Sequence, residues 1–191
     1  MQIVHIFGPD KGPTAGEGLW AVEYEPGTGN AFDNLWDLWD DVEFMRDFCR
    51  KNFADLQAKF GYAISLDDAV EVLMEEADLL TRELLDLAEG RKKGHVLQEL
   101  FKPLDNTQSN LRELQLSKAP AHKKLNSNPK LRIYAVRIDP STYVVTGGAI
   151  KLTNKMQERP HTDQEKQKLE KVGSWLKESG ACFREDLIDL P

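Results

Sequence analysis

The stretch LRIYAVRIDPSTYVVTGGAI, residues 131–150, constrains the fold more than any other part of the chain. Two runs rich in β-branched and aromatic residues, 131–138 and 142–150, flank Asp139-Pro140-Ser141. Proline presets φ for a turn, and Asp and Ser side chains bond back to their own backbone there. The pair therefore reads as a tight antiparallel hairpin. Apolar runs this dense read as buried strands, which the rest of the chain has to cover.

A third strand signal, LRELQL at 111–116, precedes them across a polar, basic loop at 117–130, SKAPAHKKLNSNPK. Two more, IVHIF at 3–7 and LWAVEYE at 19–25, flank a Gly- and Pro-punctuated connection and fit a small hairpin or two edge strands. The spacing of Phe32, Leu35, Trp36, Trp39, Val42, Met45, Phe48 and Cys49 predicts one amphipathic helix, with its tryptophans in the core. A longer helix is predicted over 65–90, with Ser65 as N-cap and Gly90 as stop. Its acidic pairs Asp67/Glu71 and Glu71/Glu75 read as a solvated face rather than metal ligands. Val96–Phe101 reads as a short helix closed by Pro103, and 162–177 as a final helix with Thr162 and Glu165 forming a capping box. The order predicts an α+β chain with its antiparallel sheet segregated late. An N-terminal strand and acidic helical part over 1–95 and a basic sheet with a closing helix over 96–191 are integrated in one domain.

The net charge of −7 conceals a division. Residues 1–90 carry 6 Lys and Arg against 20 Asp and Glu, whereas residues 91–171 carry 17 against 8. Local field steers partners more than total charge does, so the later part can receive a polyanion. The alternative is that the oppositely charged parts attract each other across the fold. Cys49 and Cys182 make neither a disulfide framework nor a metal spacing, and read as two buried thiols in a reducing compartment. The opening residues are too short and polar for a signal peptide, and no apolar run approaches the roughly 20 residues that span a bilayer. The expectation is a soluble, cytoplasmic protein with no membrane partner.

Cations gather where the late strands end. Lys118 follows the first strand, Arg132 and Arg137 lie on the second, and Lys151 and Lys155 follow the third. His122, Lys123, Lys124, Arg159 and His161 stand in adjoining loops. In a meander, Lys118, Arg132 and Lys151 meet at one sheet end. Arg137 falls near the other end, on the opposite face from Arg132 unless a bulge intervenes. Such a cluster suits phosphate, and RNA cleavage needs little more than a base for the 2′-hydroxyl, cations for the phosphorane and an acid for the leaving oxygen. Crowded lysines can depress one another's pKa until one serves as that base. The alternative is a solvated basic rim. No GxSxG, HExxH, P-loop or CxxC offers other chemistry. Gly147-Gly148 reads as a bulge or a close backbone approach rather than a phosphate cradle.

Lys102-Pro103-Leu104, Leu111-Arg112-Glu113-Leu114-Gln115, Leu131-Arg132-Ile133-Tyr134 and Gly147-Gly148-Ala149-Ile150-Lys151-Leu152-Thr153 follow one another in this order, then Lys155, Pro160 and the helix from Thr162. Over about residues 100–177 this order resembles the RelE/HigB-like toxins of bacterial toxin–antitoxin pairs, particularly their phage-derived branch. The resemblance implies a small twisted antiparallel sheet with helices packed on one side, here with an enlarged acidic helical N-terminal part. It also implies metal-independent cleavage of mRNA, often on the ribosome, without a cofactor, and neutralisation by a small helix-turn-helix antitoxin. By position, Arg132 would hold the scissile phosphate, with Lys151 and Lys155 as the phosphate-binding and proton-transfer candidates. Lys118, Lys123, Lys124, Arg137, Arg159 and His161 would add RNA contacts. Gln115 stands where an arginine is usual, and the acidic segment of about 33–90 is longer than the family's helical hairpin; two readings stand for its negative charge, repulsion of RNA or an internal shield over the basic sheet. A non-catalytic binding protein on the same scaffold, docking a protein partner or a phosphate-bearing ligand, is the competing reading.

Overall fold

The computed structural model describes residues 1–8, 17–88, 91, 96–105, 114–120, 129–188 and 190. A six-stranded sheet in the order β1-β2-β6-β5-β4-β3 forms its centre. The strands are β1 (Gln2–Phe7), β2 (Gly18–Glu23), β3 (Lys102–Pro103), β4 (Gln115–Pro120), β5 (Leu131–Asp139) and β6 (Thr142–Ile150). The hairpin of β5 and β6 pairs from Leu131↔Ile150 to Asp139↔Thr142, and Asp139 accepts from the amide and hydroxyl of Ser141 in its turn. β4 lies four residues later than the sequence pattern suggests, so Lys118 sits within a strand rather than after one.

Two expectations about the sheet need correction. It is mixed rather than antiparallel, because β2 runs parallel to β6 and joins the opening hairpin to the late meander. Helices also cover both faces rather than one. Leu131, Ile133, Ala135, Tyr143 and Val145 face one side, with Leu19 and Ala21 of β2. Tyr134, Val136, Ile138, Val144 and Ala149 face the other, with Trp20 and Val22. Strands apolar on both faces must be covered on both. The first face carries α1 (Ala31–Asp40), α2 (Val42–Lys51), α3 (Phe53–Phe60), α4 (Leu66–Ala88) and α5 (Val96–Leu100). The second carries α6 (Pro160–Glu178) and α7 (Arg184–Ile188).

The single helix expected from Phe32 to Cys49 is divided at Asp41. That residue is extended (ψ 106°), and its carboxylate accepts from the amides of Glu43 and Phe44, so it caps a new helix. The apolar stripe survives the break, with Leu35, Trp39, Met45 and Cys49 all buried. Ser65 caps α4 by accepting from the amide of Asp68, whose carboxylate accepts from the Ser65 hydroxyl in return. Thr162 does not cap the last helix. Pro160 occupies its first turn, and the buried Thr162 hydroxyl donates to the carbonyls of Met156 and Arg159. This frees Glu165 to turn toward the sheet. Cys49 is buried, as expected, but Cys182 is only half-buried in the link between α6 and α7; both are free thiols. Among the described residues, no helix is long and apolar enough to cross a membrane.

The Gly147-Gly148 pair marks a bulge. Tyr134 pairs with Gly147 and Ala135 with Val145, which leaves Thr146 as an extra residue on β6. Gly147 takes φ +146°, and a Cβ there would overlap the Glu165 carboxylate of α6. A Cβ on Gly148 would lie 2.7 Å from the Arg132 carbonyl oxygen and 2.6 Å from Cδ2 of Leu35 on the other face. Backbone cannot give way as a side-chain tip can. Gly148→Ala is expected to destabilise the fold by about 1–3 kcal/mol through overpacking. Urea unfolding should show this as a lower midpoint with an unchanged slope.

Candidate phosphate-binding site

The sheet register assembles a row of cations. Lys118 on β4 lies opposite Tyr134 on β5, and Arg132 on β5 lies opposite Ala149 on β6. Because Tyr134 and Ala149 belong to the core beneath α6, strand alternation puts Lys118 and Arg132 on that same face. Lys151 follows two residues after Ala149, and its amide still bonds the Lys130 carbonyl at 2.8 Å, so it extends the row at the strand end. The Lys118 ammonium donates to the Leu104 carbonyl at 2.9 Å. The Lys151 ammonium donates to the carbonyls of Thr153 and Asn154 at 2.8 and 2.6 Å. Arg132 donates from Nη1 to the Leu131 carbonyl at 2.7 Å.

These groups perturb one another. Partial burial pulls the Lys118 ammonium below the usual lysine range, and Arg132 lowers it further. Burial likewise lowers Lys151, reinforced by Arg132, Lys118 and Lys59. Burial also lowers Arg132, while Glu76 and Tyr134 act in the opposite sense. Two cations absent from the sequence argument join them. Lys59 reaches in from α3 and donates to Asn154 Oδ1 at 3.2 Å. Lys130 is buried at the start of β5, with its ammonium 4.3 Å from the centre of the Phe60 ring. The counter-charge is Glu76 of α4, 2 % exposed, whose carboxylate accepts from the amides of Lys130 and Leu131 at 2.6 and 3.0 Å. A positive group of this density, part-buried and mutually depressed, is suited to receive an anion.

The other candidates lie elsewhere. Lys155 is exposed at the head of a 3-10 turn, Met156–Glu158, and its amide donates to the Glu158 carboxylate. Arg159 is committed to Asp55 of α3 through two bonds of 2.6 Å, which hold the Asp55 carboxyl below its usual range. His161 places Nε2 2.9 Å from the Ile150 carbonyl and its ring edge-on to Phe48. Arg137 is only 6 % exposed, on the face of α1–α5 and opposite Gln115, away from the row. An arginine at position 115 would face away from the row too. His122, Lys123, Lys124 and Arg112 lie outside the described residues. The acidic helices pack on the face opposite the row, and Glu76 of α4 reaches its end.

Two further residues border the row. Tyr134, opposite Lys118 and two residues on from Arg132, is fully buried, and its hydroxyl has no hydrogen-bond partner among the described residues. Burial holds its phenol well above the ordinary range, and the Glu165 charge adds to this. Glu165, 9 % exposed, receives the Lys168 ammonium on Oε1 at 2.6 Å, whereas its Oε2 has no partner among the described residues. Burial raises its pKa and outweighs the opposing effects of Lys168 and the Gly148 backbone. Alternation along β5 made Tyr134 findable from Arg132, but Glu165 was hidden by its fit to a capping box. Lys59 and Glu76 gave no local signal at all.

With this arrangement in view, the chain was compared with protein-family models, characterised proteins and solved structures. Nothing matches it in any of the three.

The raised Glu165 has a consequence for stability. A carboxyl whose folded pKa lies above its unfolded value stabilises the fold fully below the unfolded value, and that contribution is lost as pH rises through the folded one. Glu165→Gln removes the titration. The melting temperature of this variant relative to the native chain is expected to increase from pH 4 to pH 7. A constant difference across thermal melts in that range would contradict the assignment.

Proposed function

We propose that the chain binds RNA through the Lys118–Arg132–Lys151 row and cleaves it there, as a toxin-like ribonuclease restrained by a small helix-turn-helix antitoxin. The convergence of those three cations on one strand end, on the face not covered by the acidic helices, is the observation that supports this reading. In the proposed reaction, the ribose 2′-hydroxyl loses its proton to a lysine of depressed pKa and attacks the adjacent phosphorus. The 5′-oxygen then leaves and takes up a proton, giving a 2′,3′-cyclic phosphate. Arg132 stabilises the charge that develops on the phosphorane oxygens, in a part-buried setting where a cation acts strongly. Lys118 and Lys151, whose pKa values are both lowered, are the candidates for proton transfer. Lys155 contributes at most an outer contact, since it stands exposed beyond the row.

One observation favours binding without cleavage. The ammonium groups of Lys118 and Lys151 already donate to loop carbonyls, so they also serve to anchor the segments that follow β3 and β6. Incubation of the purified chain with RNA in the presence of EDTA separates the two readings. The expected result is cleavage products ending in cyclic phosphate, reduced about 100-fold or more by Arg132→Ala. RNA that is bound but left intact by the folded native chain, both free and on ribosomes, would leave only the binding reading.

A further inference from the structure

The two edges of the sheet are built differently. At one end of the strand order, β3 is two residues long and consists of Lys102 and Pro103. A short strand, a lysine and a proline are the means by which a sheet edge avoids pairing with other chains. At the other end, β1 has six residues, QIVHIF, with no Lys, Arg, Asp, Glu or Pro among them. It pairs with β2 along one side, and among the described residues no strand meets its outer side. All six residues are half-buried, whereas every residue of β2 is buried. The outer side of β1 therefore offers a row of backbone N–H and C=O groups, with no charge or proline to turn a second strand away.

The lack of charge decides which strand fits. A partner chosen by charge meets no counter-charge along β1, but a second β1 matches it in length and chemistry. Antiparallel pairing centred on Val4 sets Val4 against its own copy, Ile3 against His5 and Gln2 against Ile6. The members of each pair are an even number of positions apart, so each face of one sheet continues into the same face of the other. Val4 lies opposite Ala21, on the face of α1–α5, yet among the described residues it joins neither core. In the pair, two β-branched side chains meet there. We propose that β1 is a self-association edge, through which two copies of the chain pair about a two-fold axis at Val4 and join their sheets into one. The same patch serves both copies, so the contact closes at two. A single strand pair stands at the small end of interface size, which makes the dimer dependent on concentration. This inference is independent of the RNA reading, because Lys118, Arg132 and Lys151 belong to β4, β5 and the end of β6.

Sedimentation velocity of the purified chain from about 5 to about 500 μM tests the proposal, with dimer expected to predominate at the upper end. Val4→Lys and Val4→Glu each place like charges opposite one another across the axis. Each should weaken association by about tenfold while keeping the melting temperature of the dilute chain. An equimolar mixture of the two variants should recover the dimer, since opposite charges then face each other, and should lose it again in high salt. In the native chain, amide hydrogen exchange within Gln2–Phe7 should slow as concentration rises, a readout that needs no variant. A native chain that stays monomeric throughout, with exchange in β1 independent of concentration, overturns the inference and leaves the edge to a strand of another protein. A dimer that both variants retain, or that their mixture fails to restore, places the contact elsewhere and overturns it equally.

Discussion

The arrangement depends on the burial of a hairpin that is apolar on both faces. β5 and β6 expose almost nothing between Leu131 and Ile150, and Tyr143, Val144 and Val145 pack alternately into two separate cores. Such strands lie at the middle of a sheet with helices on either side. The parallel pairing of β2 with β6 follows from the same need, because it protects the edge of β6 and brings Trp20 and Val22 to the core beneath α6.

The two faces then divide the charge. The helices rich in Asp and Glu all pack on one side, held by Trp39, Met45, Leu73, Leu80 and Leu84. On the other side lies α6, whose first turns rest on β6 at Gly147. Arg132 and Lys118 emerge on this side, beyond the reach of most of the acidic helices. The contrast between the −14 implied by residues 1–90 and the basic segment that follows is therefore resolved across the thickness of the sheet rather than by neutralisation. Polar contacts between the parts include Asp55 with Arg159, Lys59 with Asn154 and Glu76 with the start of β5, while apolar side chains of the acidic helices pack on the sheet itself.

The bulge at Thr146-Gly147 links the scaffold to the site. It shifts the register of β6 by one residue, gives Glu165 its seat and keeps Tyr134 in line with Lys118 and Arg132. A buried carboxyl with a raised pKa and a buried phenol without a partner among the described residues both oppose stability. Groups retained at such a cost are where function is first sought.

Period and turn chemistry were enough to read β5, β6, α4 and α6 from the sequence, because each is decided by neighbours within a few residues. Alternation likewise separated Arg132 from Arg137 before any coordinates, since side chains one residue apart in a strand must face opposite ways. The break at Asp41, the parallel pairing of β2 with β6 and the approach of Lys59, Glu76 and Glu165 to the site were decided only by the tertiary structure. Each depends on contacts between segments distant in the chain, or on a side chain such as Glu165 choosing the sheet over the local cap that its spacing also allowed.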